Sequence, residues 1–212
     1  IGFIEEIRDG VIPQEEQDHY LEIISNEARR LSRLVSSLLD ISRIEAGDRK
    51  FTPTPFDICE MGRVILISFE QQIDGKRLEV EFECDRDRMM VFADHDAIYQ
   101  IFYNICHNAV KFSKEGGILR IRIRADRDRK VLVSVYNEGQ GIPKADLPYV
   151  FERFYKSDKS RGLDKTGVGL GLFIAKTIIR AHGEKIWVES EEGKYCEFFF
   201  TLSEADPQSG GS

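Results

Sequence analysis

No run of the 212-residue chain approaches the roughly 18–20 consecutive apolar residues of a membrane-spanning helix, and no signal-peptide pattern opens it. Cysteine is scarce. The four present (Cys59, Cys84, Cys106, Cys196) show no CxxC and no metal-ligand spacing, which argues against a disulfide framework or a zinc site. They are expected to be reduced, mostly buried thiols in a cytoplasmic setting. Positive charge is also short: the net charge of −7 disfavours a general nucleic-acid partner. Arg120, Arg122 and Arg124 alternate with Leu119, Ile121 and Ile123, so they read as the wet face of a strand rather than a phosphate track. With 42% hydrophobic and 32% charged residues, what remains is a globular chain with one core and room for a small appended element.

Residues 1–9 read as the end of a helix stopped by Gly10 and Pro13. A long helix is expected over 14–46, with an acidic first turn and Gly47 at its stop. Ile24, Ala28, Leu31, Val35 and Leu38 step by four, three, four and three, a heptad seam that Leu21, Leu34 and Ile41 widen. Such a face must pack on the preceding helix, on a second copy, or on the neighbouring domain; a dimerising hairpin is favoured. Residues 51–56, with Pro53 and Pro55, read as an extended connector, and Asp57 can cap a helix running to about Ile73. Strands are expected over 78–84, 89–93, 118–125, 131–137, 185–189 and 195–202, and a short helical turn over 147–154. Residues 157–166 read as a mobile loop and 170–182 as a helix. Helices and antiparallel strands then segregate into an α+β two-layer sandwich rather than a parallel Rossmann sheet.

The most informative stretch is 100–113, QIFYNICHNAVKFS. Ile101, Phe102, Ile105, Ala109 and Phe112 mark a buried helix face, while Asn104, Asn108 and Lys111 lie on a neighbouring stripe. Two amides and an ammonium on one line suit a hydrated divalent ion and a phosphate, although an ordinary polar face has the same pattern. Gly139-Gln140-Gly141-Ile142 follows a strand, and Gly167-Val168-Gly169-Leu170-Gly171-Leu172 opens a helix. The first alone fits a plain turn, the second a tight helix start or a phosphate cradle. The second is neither a Walker A loop nor a dinucleotide fingerprint.

Together, N-x-x-x-N-A-x-K-F, N-x-G-x-G-I, Phe151-Glu152-Arg153-Phe154-Tyr155 and G-x-G-L-G-L follow in an order that resembles the ATP-binding domain of sensor histidine kinases. That domain belongs to the GHKL superfamily with the Bergerat fold, and the likeness spans about 51–202. Residues 38–47 resemble the second helix of the family's dimerisation and phosphotransfer hairpin. The resemblance implies a partial hairpin over 1–48, a catalytic domain over 49–204 and a flexible tail over 205–212. It implies ATP and Mg²⁺ as cofactors, a homodimer and a receiver-domain response regulator as partners, and the cytoplasmic portion of a sensor. Asn108 would hold Mg²⁺ with Asn104 in support, Lys111 and Lys156 would reach phosphate, and Phe112 would lie by adenine and ribose. Asn137 would bond the adenine amine, with Gly139, Gly141 and Ile142 shaping its pocket. Phe151 and Phe154 would anchor a lid, and Gly167, Val168, Gly169, Leu170, Gly171 and Leu172 would close it on the phosphates.

Two departures stand out. Asn137 replaces the family's usual Asp, keeping an acceptor oxygen but losing the charge. None of His19, His95, His107 and His182 has the family's H-box context, so the acceptor histidine is expected upstream of Ile1. Asn104 stands where the water-hydrolysing relatives carry a Glu base, and an amide takes no proton at neutral pH. Hydrolysis is therefore disfavoured over transfer to a histidine. A nucleotide-responsive pseudokinase remains the alternative; an anti-sigma-type serine kinase is a weaker one. The expectation is that this chain binds ATP·Mg²⁺ without labelling itself; acid-labile, base-stable label from γ-labelled ATP on the isolated chain would refute it.

Overall fold

Alternation along three strands sets the architecture. In β4 (Ile118–Asp126), β5 (Lys130–Glu138) and β7 (Tyr195–Ser203), Leu119, Ile121, Ile123, Val131, Val133, Val135, Phe198, Phe200 and Leu202 are all buried. A strand's period of two puts each set on one face. The computed structural model describes residues 13–156 and 169–206, with Ile7 and Val11. Apart from Ile7, the expected helix end over 1–9 lies outside the described residues, as does the expected loop over 157–166.

The main sheet runs β2-β4-β5-β7-β6, with β2 at Glu79–Cys84 and β6 at Ile186–Glu191. All neighbours are antiparallel except β2 and β4, which run parallel from Glu79↔Ile118 to Cys84↔Ile123. The link between them passes through β3 (Met90–Ala93) and the helix α4 (His95–Phe112), long enough for the crossover a parallel pair requires. Three helices cover the apolar face: α2 (Ile58–Ser68), α4, and α5 (Gly171–Ala181). Ile98, Ile101, Phe102 and Ile105 of α4 and Ile174, Ile178 and Ile179 of α5 are buried against it, and Phe102 meets Phe200 edge-on at 5.6 Å. The α+β two-layer sandwich expected from the sequence is present. On the open face Arg120 pairs with Glu81, and Arg122 and Arg124 share Glu83, so these arginines are strand-face residues as expected.

Four local expectations need correction. Within 51–56, residues from Thr54 onward form β1 (Thr54–Asp57), paired antiparallel with β3 in a small second sheet. Asp57 does cap α2, its Oδ1 accepting from Cys59 N–H at 3.0 Å and also from Met89 N–H at 3.1 Å. The helix does not continue to Ile73: it breaks at Phe69, buried at 1% exposure, and resumes as α3 (Glu70–Gly75). The helical turn expected over 147–154 is a single 3₁₀ turn at Leu147–Tyr149. Ala205 and Asp206, expected to belong to the tail, are bonded to the body of the domain. Ala205 N–H donates to Met90 O at 2.9 Å and Asp206 pairs with Arg129 at 2.6 Å, while 207–212 lie outside the described residues. The cysteines are free, three buried and Cys84 half-buried.

The long helix α1 spans Gln14–Glu45. Its lower end is anchored: Ile41 is 2% exposed, and Leu34 and Ile44 pack on the core. Leu31, Val35 and Leu38 of the heptad seam are exposed. Next to that anchor, Phe51 lies against His182 with ring centroids 4.6 Å apart. His182 donates from Nδ1 to Ile178 O at 2.8 Å and accepts at Nε2 from Asp94 N–H at 3.3 Å.

Where α5 hands over to β6, buried Glu184 accepts from Lys130 Nζ at 2.6 Å, Thr201 Oγ1 at 2.7 Å and Ser203 Oγ at 2.7 Å. Burial alone would raise its pKa, but these bonds outweigh burial and hold the carboxyl below the usual range. A depressed folded pKa means its stabilisation is present above the unfolded value and is lost as pH falls through the folded one. Glu184→Ala, which leaves the part-exposed Lys130 ammonium with Ser203 but without its anionic partner, is expected to cost about 1–3 kcal/mol in chemical denaturation at pH 7. Glu184→Gln should flatten the acid limb of the stability profile; an unchanged limb would show that the carboxylate contributes nothing there.

Candidate functional site

The N-terminus of α4 is fixed by Asp94, whose side chain accepts from Ala97 N–H at 3.0 Å and from Thr52 N–H at 2.8 Å. With the apolar stripe buried, Asn104, Asn108, Lys111 and Phe112 are left half-buried along the helix edge. At the far end Ser113 Oγ donates to Ala109 O at 2.7 Å, Ser113 bridges to Gly139, and Lys114 N–H donates to Glu138 O at 2.9 Å. The last turn of α4 is thereby stitched to the exit of β5.

Gly139 is required by that stitching. A Cβ there would overlap the carbonyl oxygen of Phe112 and lie 3.2 Å from Asn137 Nδ2. Gly141 has φ +60°, and a Cβ on it would overlap the carbonyl oxygen of Glu191. The loop is clasped from that side as well: Ile142 N–H donates to Ser190 Oγ at 2.8 Å and Gly193 N–H to Gln140 O at 2.7 Å. Asn137 is 3% exposed, and among the described residues its buried Nδ2 has no hydrogen-bond partner. An orphaned buried donor costs about 1–3 kcal/mol, which a ligand supplying the acceptor would recover. A planar amide pairs one acceptor with one donor, the complement of an adenine's amine and adjacent ring nitrogen.

The other side of the site is built by aromatic and glycine residues. Phe151 is buried edge-on to Phe198 at 6.0 Å. Phe154 is 54% exposed with φ +60°, a conformation a bulky residue seldom adopts, and its N–H donates to Gly169 O at 3.1 Å. Gly169 has φ +76°, and a Cβ there would come within 2.9 Å of the Phe154 and Tyr155 backbone. Gly171 opens α5 directly against Asn104; its Cβ position is 3.6 Å from the Asn104 Cγ. The structure thus brings Gly171 of the second glycine cluster to Asn104 and Gly139 of the first to Phe112, with Asn108 and Lys111 between these anchors on about 12 Å of helix. The Lys111 ammonium lies 5.7 Å from the Phe112 ring centroid.

The remaining candidates are placed less decisively. Gly141, Ile142, Lys156 and Leu172 are half-buried near these elements, and the Leu170 side chain is in the core, leaving only its backbone for a ligand. Gly167 and Val168 lie outside the described residues. Sequence reasoning did not foresee the clasp by Ser190 and Glu191, because those residues carry no motif and reach the loop only through strand pairing. The donor set fits the implied groups: amide oxygens suit Mg²⁺ sharing phosphate ligands, and the glycine approaches leave backbone rather than side chain around a flat base.

Comparison with known proteins agrees. The model of the histidine kinase-, DNA gyrase B- and HSP90-like ATPase family matches residues 93–206, and that of the His Kinase A phospho-acceptor domain matches residues 1–47. Sensor histidine kinase WalK of Bacillus subtilis is 40% identical over 193 residues, covering 89% of this chain and 31% of WalK. Full-length ShkA, solved in complex with AMPPNP, aligns with a TM-score of 0.78 at 27% identity over 90% of this chain and 40% of that one. Histidine kinase ThkA, solved in complex with the response regulator TrrA, gives a TM-score of 0.71 at 29% identity over 96% of this chain and 56% of that one. The chain spans about a third of the length of the curated relatives it matches. Two amides one turn apart, Gly171 against the first of them, Gly139 against Phe112 and both family matches converge: the chain belongs to the sensor histidine kinases and carries their GHKL-type ATPase domain.

Proposed function

We propose that this chain is the catalytic core of a two-component sensor, binding ATP·Mg²⁺ and passing the γ-phosphoryl group to a histidine outside it, for relay to an aspartate of a response regulator. The observation that carries the reading is the orphaned Asn137 amide beside Gly139, at the C-terminal end of the helix whose middle, at Asn104, meets Gly171. In this reading Asn137 reads the adenine edge, with Phe112, Gly139, Gly141 and Ile142 around the base. Asn108 holds Mg²⁺ through its amide oxygen and Asn104 supports it; Lys111 and Lys156 meet phosphate. Gly169, Leu170, Gly171 and Leu172 offer backbone amides at the start of α5, and the family resemblance assigns Gly167 and Val168, outside the described residues, to the same phosphate-binding segment. Held by Asn108, Mg²⁺ would supply positive charge to the phosphates as the γ-phosphoryl group leaves ADP, its P–O bond breaking while the N–P bond to the acceptor imidazole forms. Asn104 offers no general base for water, which favours transfer over hydrolysis. AMPPNP in ShkA supports nucleotide binding, and TrrA bound to ThkA supports a response-regulator partner.

The division into a partial hairpin over 1–48 and a catalytic unit from 49 onward belongs to the same proposal. The exposed Leu31, Val35 and Leu38, on a helix whose neighbours Leu34 and Ile41 are covered, fit a homodimer packed along that seam. A cytoplasmic position follows from the ATP requirement; among the described residues no helix is long and apolar enough to cross a membrane. The second reading, a nucleotide-responsive pseudokinase, draws on the uncharged Asn137. Phosphate appearing on an added acceptor hairpin separates the two readings, and its absence in the presence of bound ATP would favour the second.

Calorimetric titration with ATP·Mg²⁺ is expected to give saturable binding that Gly139→Ala abolishes and Asn137→Ala weakens by about tenfold. Asn137→Asp should bind as tightly or up to about tenfold tighter, since a charged acceptor strengthens the same bond. Asn108→Ala should lose the magnesium-dependent part of the affinity and keep the part seen without metal. Wild-type affinity for Gly139→Ala would contradict the site as drawn.

A further inference from the structure

Lys76, the residue after α3, carries no motif, yet its ammonium is placed where few lysines are. It donates to the carbonyls of Val110 at 2.9 Å, Lys111 at 2.5 Å and Ser113 at 3.0 Å, and its own carbonyl accepts from Gly116 N–H at 2.8 Å. The last carbonyls of a helix have no intrahelical donor, and an ammonium has three N–H groups to offer. All three are used on the final turn of α4 and the residue that follows. The positive charge also sits at the negative end of the helix dipole. Burial pushes the Lys76 pKa below the ordinary lysine value, so holding the cation there has a cost.

A helix end could be capped more simply by a glycine or by water. This end is the one whose Phe112 carbonyl lies against Gly139 and whose Ser113 bridges to it. Gly139 approaches from the β5 side and Lys76 from the α3 side, so the turn bearing Lys111 and Phe112 is gripped between them. Carbonyls left without donors would draw in water or unwind that turn, displacing Lys111 and Phe112 with it.

We propose that Lys76 is a positioning residue for the nucleotide site: by satisfying the carbonyls of Val110, Lys111 and Ser113 it fixes the adenine end of the pocket. The inference rests on the nucleotide reading above. It acts through the helix and touches no reacting atom, so it should govern affinity rather than the transfer step.

The test titrates ATP·Mg²⁺ and ADP·Mg²⁺ into the chain, Lys76→Met and Lys76→Arg, with thermal melts and hydrogen exchange on each. Lys76→Met should raise Kd by about tenfold for both nucleotides, with KM rising and kcat nearly unchanged in transfer to an added acceptor hairpin. Lys76→Arg, which keeps the charge and the donors, should recover to within about threefold. Exchange in Lys76→Met should quicken across residues 110–117 and not in the sheet. Binding of Lys76→Met within twofold of the wild type overturns the proposal, as does a loss that Lys76→Arg does not relieve or exchange that quickens everywhere. Should Lys76→Met fail to melt cooperatively, Lys76→Gln is titrated instead, and binding within twofold again overturns it. Failure of the wild-type chain to bind either nucleotide would instead remove the nucleotide reading on which it rests.

Discussion

The close approach of Phe112 and Gly139 is the constraint from which the rest of the site follows. Backbone meets backbone there with no room for a Cβ, and the Ser113 bridge and the Lys114–Glu138 hydrogen bond hold the approach on either side. Because of it the end of α4 and the exit of β5 form one unit. That unit brings Asn137, buried on the sheet, beside the polar edge of a helix more than twenty residues earlier in the chain. Were Gly139 any larger residue, the loop would have to move away from the helix, and the amide of Asn137 would no longer share a wall with Phe112.

Supporting that junction is a sandwich whose two layers do different work. The apolar face of β4, β5 and β7 buries α4 and α5, so their polar edges keep a fixed relation and Gly171 meets Asn104. The opposite face is kept wet by ion pairs between β2 and β4, in which the Arg120 and Arg122 side chains hold Glu81 and Glu83 in their charged forms. Alternating charge along the edge strand also discourages the addition of a further strand. Polar links also join the two layers at their ends: buried Glu184 ties the sheet to the end of α5, and half-buried His182 ties that helix to Asp94 at the start of α4. The two helices that frame the site are therefore joined at their far ends as well as at Asn104.

Much of this was legible in the residues. Strict alternation placed β4, β5 and β7, and the period of α4 separated Asn104, Asn108 and Lys111 from the core, because burial of one face leaves a regular trace. The order of the four motifs identified the family. Less legible were features that depend on partners distant in sequence. The β1–β3 pair needed Met90–Ala93 to complete residues that alone read as a connector, and the break at Phe69, whose ring is buried, falls where no glycine or proline marks it. The bonds that hold Ala205 and Asp206 likewise depend on Met90 and Arg129.

The sequence by itself determined which residues are amide, glycine or aromatic, and through periodicity which face of each element is buried. Only the tertiary structure decided that Gly139 must be glycine because Phe112 lies behind it, and that Asn137 is left with an unmet donor. It also decided that Lys76 closes the helix from the other side. Hydrophobic periodicity is written in neighbours three, four or two residues apart, whereas a close backbone approach or an ammonium shared by three carbonyls joins segments whose separation along the chain carries no pattern.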